Sequence, residues 1–359
     1  MPTDRFVATS REKLRRIKIG CSFAPELYQL GGSDNPKTPE QALVALKMIV
    51  EQFGLRDMRL GIRWSRAVDQ NGAVDLSFYQ PVLDYCLKSD LPLCLNVGPI
   101  KTFRWPEQHV PDSVLRSLSS VPAKGATIYP QMEIAKAALD YLDRLLAKLE
   151  AEYGPDLTSK LKVVQPENEP FIPFGQFEWV MSEAYLEDVI ALIRSYLPAQ
   201  AILLNSGALQ VIQMSRFCRQ VLATHQDLRG KLVYGYDFFY EMGDGIFSSI
   251  PLLDRVDMIS FYQMLGIQAY PHDLPGITTE VTEGQMEPWG KFTAPGNSVK
   301  HLRYLILRCI ENALNLRTGT SAVLRVWGIE QLTEKFFNGT ATQQHRQMVE
   351  LMSTINGLS

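Results

Sequence analysis

The sequence predicts an α/β fold, a (β/α)8 barrel of the TIM type, on three observations. Short apolar, β-rich runs recur eight times along the 359 residues. Segments of helical period lie between them. The first run passes into Cys21-Ser22-Phe23-Ala24-Pro25-Glu26, with none of the glycine-rich phosphate turns that open many doubly wound sheets. Strict strand-then-helix alternation calls for a parallel sheet covered by helices, and eight such units fit a closed barrel better than an open sheet. Residues 1–359 then form a single barrel domain, a length that such barrels take as one unit. Residues 1–16, which carry part of the basic run from Arg11 to Lys18, are expected to be a flexible N-terminal extension.

The predicted strands are 18–23, 57–64, 91–97, 161–166, 201–205, 257–262, 277–283 and 322–327. Thr38-Pro39-Glu40-Gln41 opens the first helix with an N-cap threonine, a proline at the first turn and a glutamine three residues on, the pattern of a capping box. Gly54 closes that helix. Further helices are expected near 76–89, 130–153, 178–196, 213–228, 246–253, 298–316 and 342–355. One run competes for a place in the sheet: Val233-Tyr234-Gly235-Tyr236-Asp237-Phe238-Phe239-Tyr240 is either a ninth strand or the true occupant of the sixth position.

Composition removes several classes of function. Thirty-six Lys and Arg against 39 Asp and Glu give a net charge of −3, without the basic excess of a general nucleic-acid or membrane-surface binder. The five cysteines form no close CxxC pair and sit in apolar runs, as free core thiols of a reducing compartment do. The five histidines are scattered, with no HxH or HExxH, so no histidine-built metal site and no cofactor are expected. With no apolar stretch of about 18 residues and no signal-peptide core behind Met1, a cytoplasmic chain without a membrane span is the expectation.

Barrels of this kind build their sites where strands end at the C-terminal face. All five tryptophans (Trp64, Trp105, Trp179, Trp289, Trp327) fall at or just after predicted strand ends. A rim of flat aromatic rings suits a sugar, although the same residues could cap the core. Trp105, Trp289 and Trp327 are the expected cleft walls. Carboxylates are the second concentration. The fourth strand ends Val163-Val164-Gln165-Pro166-Glu167-Asn168-Glu169-Pro170, and the seventh ends Thr279-Glu280-Val281-Thr282-Glu283-Gly284-Gln285. The two strands lie across the mouth from one another, and opposed carboxylates are the equipment of glycoside hydrolysis.

Here the residues resemble a family. Asn168-Glu169-Pro170 after the fourth strand, with a glutamate on the seventh, is similar to the clan A retaining glycoside hydrolases, which include the family 5 cellulases and family 42 β-galactosidases. Arg59-Leu60-Gly61-Ile62-Arg63-Trp64 is similar to that clan's strand-two arginine segment. Gly98 through Arg104-Trp105-Pro106-Glu107 looks like the strand-three loop of its uncharacterised bacterial members. The resemblance implies that Glu169 is the acid/base and that Asn168 holds the sugar's 2-hydroxyl. It implies that Arg59 holds the nucleophile and that Tyr262, read as the end of strand six, donates to it. Gln285 and Glu287, just past the nucleophile, are candidate contacts for sugar hydroxyls. Arg104, Trp105 and His109, in the loop spanning 101–129, are candidates for substrate selection.

Two choices stay open at this level. Glu167 rivals Glu169 as the acid, and lies two residues deeper. Glu280 rivals Glu283 as the nucleophile, because parallel barrel strands are buried on both faces and alternation does not decide between them. Strand length and the apolar-Thr-Glu ending favour Glu283. The expected function is retaining β-glycoside hydrolysis of an oligo- or polysaccharide, with a carbohydrate as partner. The alternative is a carbohydrate-binding barrel without turnover, which would keep the aromatic rim and dispense with one carboxylate.

Overall fold

The computed structural model describes residues 14–28, 38–104, 106–206, 210–238, 276–285, 302, 306 and 322–357. Eight parallel strands close into a barrel. They are β1 (Ile17–Phe23), β2 (Met58–Gly61), β3 (Leu93–Asn96), β4 (Leu161–Gln165), β5 (Ala201–Ser206), β6 (Leu232–Phe238), β7 (Ile277–Gln285) and β8 (Ala322–Trp327). Order around the barrel follows order in the chain, and β8 returns to β1 with Ile17 opposite Ala322 and Cys21 opposite Val326. The barrel expectation holds, with one correction: the sixth strand is Leu232–Phe238. The expected strand at 257–262 lies outside the described residues.

Between the strands run the helices Pro39–Glu51, Gln80–Lys88, Glu133–Lys160, Glu183–Tyr196 and Val211–Thr224, and Ile329–Phe337 and Gln343–Asn356 follow β8. Thr38 Oγ1 accepts the Gln41 N–H at 3.3 Å, so the first helix begins where its cap residue sits. Gly154, at φ 40°, breaks the long helix just past the 130–153 span, and Pro155 follows it. The helix Ile329–Phe337 went unanticipated. The expected helix at 246–253 lies outside the described residues; of 298–316 only Leu302 and Ile306 are described, both buried. Of the extension expected over 1–16, residues 1–13 lie outside the described residues, and Leu14 is fully buried in the core.

The outward faces of the strands join the helices in one large apolar core that includes Ile19, Leu60, Leu95, Val164, Ile202 and Leu324. Inside the barrel the side chains change character along each strand. Cys94, Leu203 and Val233 make a small apolar layer, with Val163 and Ala201 packed against it. Two residues further along each strand the inward positions become Asn96, Gln165, Asn205 and Gly235, and polar groups fill the C-terminal mouth. Period-two alternation places those polar residues at the face where loops build sites.

β7 interrupts that alternation. Glu280 pairs with Gly235 and Val281 with Tyr236, but the next pair is Glu283 with Asp237. Thr282 is therefore the extra residue of a β-bulge, which returns Glu283 to the same inward face as Glu280. Gly235 accommodates the bulge: a Cβ there would lie 2.0 Å from Thr282 Oγ1.

Candidate active site

Arg59 organises the mouth. It projects inward from β2, is fully buried, and spends its donors on three strands. Nε donates to Gln165 Oε1 at 2.8 Å, Nη2 to Asn168 Oδ1 at 2.6 Å, and Nη1 to Ser22 Oγ at 3.2 Å and to Glu283 Oε1. Its guanidinium lies over the Phe103 ring, 4.2 Å from the centroid. Glu283 is thus held at the end of β7 in a buried ion pair.

Glu169 sits just beyond β4 in a backbone conformation that side-chain-bearing residues avoid, with φ at 40°. Neighbours impose it. Lys101 Nζ donates to the Glu169 and Ile172 carbonyls, both at 2.8 Å, and Asn205 Oδ1 accepts the Glu169 N–H at 3.0 Å. The carboxyl is 2% exposed, and its Oε1 has no hydrogen-bond partner among the described residues. Burial, and then the charges of Glu283 and Glu107, push its pKa up to about 8.

The rivals left open by the sequence, Glu167 and Glu280, sit in surroundings of their own. Glu167 is also pushed up to about 8 by burial, but its oxygens accept from Lys101 N at 2.6 Å, Tyr185 Oη at 2.9 Å and Ile100 N at 3.3 Å. Gly98 leaves room for it, since a Cβ there would lie 2.6 Å from Glu167 Oε2. Glu167 therefore ties the strand-three loop to the barrel. Glu280 joins Arg325, which also donates through Nε to Asp57 Oδ1 at 2.6 Å. That arginine and two carboxylates form a buried cluster deeper in the barrel, removed from Arg59.

Asn168 reaches across the mouth. Its Oδ1 accepts from Arg59 and from Asn205 Nδ2 at 2.9 Å, and its Nδ2 donates to Glu107 Oε2 at 2.9 Å. Trp327, at the end of β8, is half-buried, and the Arg104 guanidinium lies 4.2 Å from its ring centroid. Arg104 is ion-paired with Glu330, and burial lowers its pKa to about 10. His109 Nε2 lies 3.4 Å from the Arg104 carbonyl, and burial and Arg63 push its pKa down to about 3. Gln285 ends β7 in register with Trp327. Trp105, Tyr262, Glu287 and Trp289 lie outside the described residues. Trp64 and Trp179 are core residues: Trp64 stacks on Tyr141 at 4.9 Å, and Trp179 stacks on Phe177 at 4.5 Å.

Two carboxyls at the mouth escaped the sequence reading. Asp237, near the end of β6, holds the inward strand-six position that had been expected of Tyr262; Oδ2 accepts from Asn205 Nδ2 at 2.8 Å. Burial, then Glu169 and Glu283, raise its pKa well above the carboxylate range. Glu107, with φ at 67°, is raised to about 7 by burial and by Glu283. The signal for Asp237 was present in the 233–240 run, which placed an acid at the end of an apolar alternation. Glu107 carried only its proximity to Arg104 and Trp105.

The fold and mouth define a (β/α)8 barrel with an acid-lined mouth, in which a carboxyl that favours its proton lies near one held by arginine. No protein-family model matches the sequence, and no curated protein does. Solved structures do match. An endoxylanase of glycoside hydrolase family 10 from a sugarcane soil metagenome aligns over 97% of this chain and 99% of its own, with a TM-score of 0.55 and 12% identity. A family 5 glycoside hydrolase from Prevotella bryantii, in complex with a xyloglucan tetradecasaccharide, aligns over 97% and 98%, with a TM-score of 0.54 and 10% identity. The intracellular xylanase of Thermoanaerobacterium saccharolyticum aligns over 87% and 86%, with a TM-score of 0.51 and 12% identity. At these identities the likeness is one of fold. Among the described residues no helix is long and apolar enough to cross a membrane, and no group of three or more His, Cys, Asp or Glu is placed to hold a metal ion.

Proposed function

We propose that this chain is a retaining β-glycoside hydrolase that acts on a β-linked oligo- or polysaccharide, with Glu169 as acid/base and Glu283 as nucleophile. One observation carries the reading: the two carboxyls end β4 and β7 at one mouth in different surroundings. Glu169 is buried, with one oxygen that has no partner among the described residues and a pKa raised by burial, whereas Glu283 is clamped by Arg59. A double displacement needs that division of labour. Glu169 gives its proton to the glycosidic oxygen while a Glu283 oxygen attacks C1, and the leaving group departs as an alcohol. Glu169, now a carboxylate, takes a proton from water, which attacks C1 and releases Glu283. Arg59 fixes the attacking oxygen, and Asn168, held by Arg59 and Asn205 with one Nδ2 hydrogen on Glu107, has its second Nδ2 hydrogen left for the sugar's 2-hydroxyl.

The substrate class draws support from the tryptophans proposed as ring platforms (Trp105, Trp289 and Trp327) and from the solved structures, two of which are xylanases and one of which holds a xyloglucan oligosaccharide. Gln285 and Glu287 are proposed contacts for sugar hydroxyls. The four described cysteines are free and buried, in keeping with a reducing compartment.

Activity on a panel of aryl β-glycosides, run with and without a chelator, tests the proposal. Hydrolysis that is indifferent to the chelator, with the β-anomer released first by proton NMR, is expected. No hydrolysis of any member together with saccharide binding would favour the carbohydrate-binding alternative, and release of the α-anomer would mean inversion.

A further inference from the structure

Among the carboxyls of the mouth, Asp237 has no part in the scheme above, and its surroundings are unusual for an acid. Oδ2 is anchored by Asn205 Nδ2 at 2.8 Å, and the same asparagine receives the Glu169 N–H at 3.0 Å, so one side chain sets the position of both acids. The Glu169 and Asp237 side chains are in hydrogen-bonding contact. Each also leaves one buried oxygen, Glu169 Oε1 and Asp237 Oδ1, without a donor among the described residues. An ionised carboxylate only accepts hydrogen bonds, so two buried carboxyls in contact need a proton on one of them.

We propose that Asp237 is a positioning residue that keeps its proton and donates it in a hydrogen bond to the Glu169 carboxylate. The inference rests on the reading of Glu169 as the acid/base. The charged groups that face the pair come from three elements. Glu283 on β7 and Glu107 from the strand-three loop disfavour ionisation of Glu169, Lys101 from that loop favours it, and Arg59 on β2 favours ionisation of Asp237. Burial disfavours the charged form of both acids, and since Glu169 gives up its proton in the cycle, the one proton that two buried carboxyls in contact keep between them is the aspartic acid's. When Glu169 releases its proton to the leaving group, the Asp237 hydroxyl is already aimed at the carboxylate that forms. The same bond holds that carboxylate for its second task as a base. No bond to Asp237 is made or broken in the cycle.

Carbon-13 NMR of protein labelled at its side-chain carboxyl carbons tests this without turnover, the Glu169 resonance being assigned by its loss in Glu169→Gln. In the wild type Asp237 should stay protonated through the pH range in which Glu169 ionises. In Asp237→Ala, Glu169 should become an acid about tenfold weaker, the scale of a lost hydrogen bond to a charged group. Asp237→Asn, which keeps a donor and the shape, should stay near the wild type. The alkaline limb of kcat/KM on a hydrolysed 4-nitrophenyl β-glycoside should move upward in the alanine variant in step with the NMR titration. Ionisation of Asp237 before Glu169 overturns the proposal, a result that needs only the wild type. An unchanged or stronger Glu169 acid in Asp237→Ala overturns it as well. The expected order of ionisation without hydrolysis of any glycoside would instead remove the glycosidase reading and leave the carboxyl pair standing.

Discussion

Glu280 and Glu283 stand three residues apart on one strand and both point into the barrel, because Thr282 bulges out of register between them. Each meets its own arginine: Glu280 pairs with Arg325 and Glu283 with Arg59. Two buried ion pairs on a single strand thus take different parts, one deep in the barrel and the other at the mouth. Glu280→Gln should lower stability by about 3 kcal/mol, the lower end of what breaking a buried pair costs, since Arg325 keeps Asp57. Glycoside hydrolysis by the folded variant should persist. Urea unfolding paired with an activity assay measures both, and lost turnover at unchanged stability would move the nucleophile to Glu280.

Arg59 is expected to resist conservative replacement. Lysine keeps the charge but not the fork that reaches Gln165, Asn168, Ser22 and Glu283 together. In Arg59→Lys, kcat should fall on the order of 10²-fold, the scale of a misplaced reacting group, with KM less affected. A variant with wild-type kcat would reduce Arg59 to a structural ion pair.

Leaving-group dependence separates Glu169 from Glu167. In Glu169→Ala, aryl glycosides with poor leaving groups should slow on the order of 10²–10⁴-fold, the usual contribution of a general acid. Substrates that need no proton should still form the glycosyl-enzyme. Glu167→Gln should instead weaken the fold, since it disturbs bonds to Ile100, Lys101 and Tyr185. Equal slowing of good and poor leaving groups in Glu169→Ala would remove it as the acid.

Stability should fall as pH rises from about 5 to 8. Glu107, Glu167 and Glu169 are raised to between about 7 and about 8, and Asp237 is raised well above the carboxylate range. In the folded chain these groups keep protons that the unfolded chain has lost above its ordinary carboxylate pKa values, near 4. The folded state then binds more protons, so the unfolding free energy declines with pH, and this contribution is fully present only below those unfolded values. Melting temperatures at constant ionic strength across that range provide the check, and a Tm that climbs toward pH 8 would contradict the burial of these acids in folded form.

The architecture was largely legible because strand and helix periods differ so plainly, and Asn168-Glu169-Pro170 marked the end of β4. Strand six was misplaced because 257–262 and 233–240 are equally rich in β-forming residues, and only the closure of the barrel decides between them. With that strand went Asp237, while attention fell on Tyr262. The inward direction of both Glu280 and Glu283 was unreadable, since a bulge is a property of two paired strands and leaves no mark in one. Trp64 and Trp179 share the strand-end placement of the other tryptophans, yet they pack on Tyr141 and Phe177 in the core; position along the chain does not report which way a ring turns.

The central claim is that Glu283 attacks the sugar while Glu169 serves the leaving group, and chemical rescue tests it most directly. Glu283→Gly should hydrolyse an aryl β-glycoside negligibly. With added azide it should release the phenol again and form the α-glycosyl azide, because the small anion enters the space of the missing carboxylate and attacks from the same face. Proton NMR of the azide product reads its anomeric configuration. A β-glycosyl azide from Glu283→Gly, or undiminished hydrolysis by that variant without azide, would contradict the assignment.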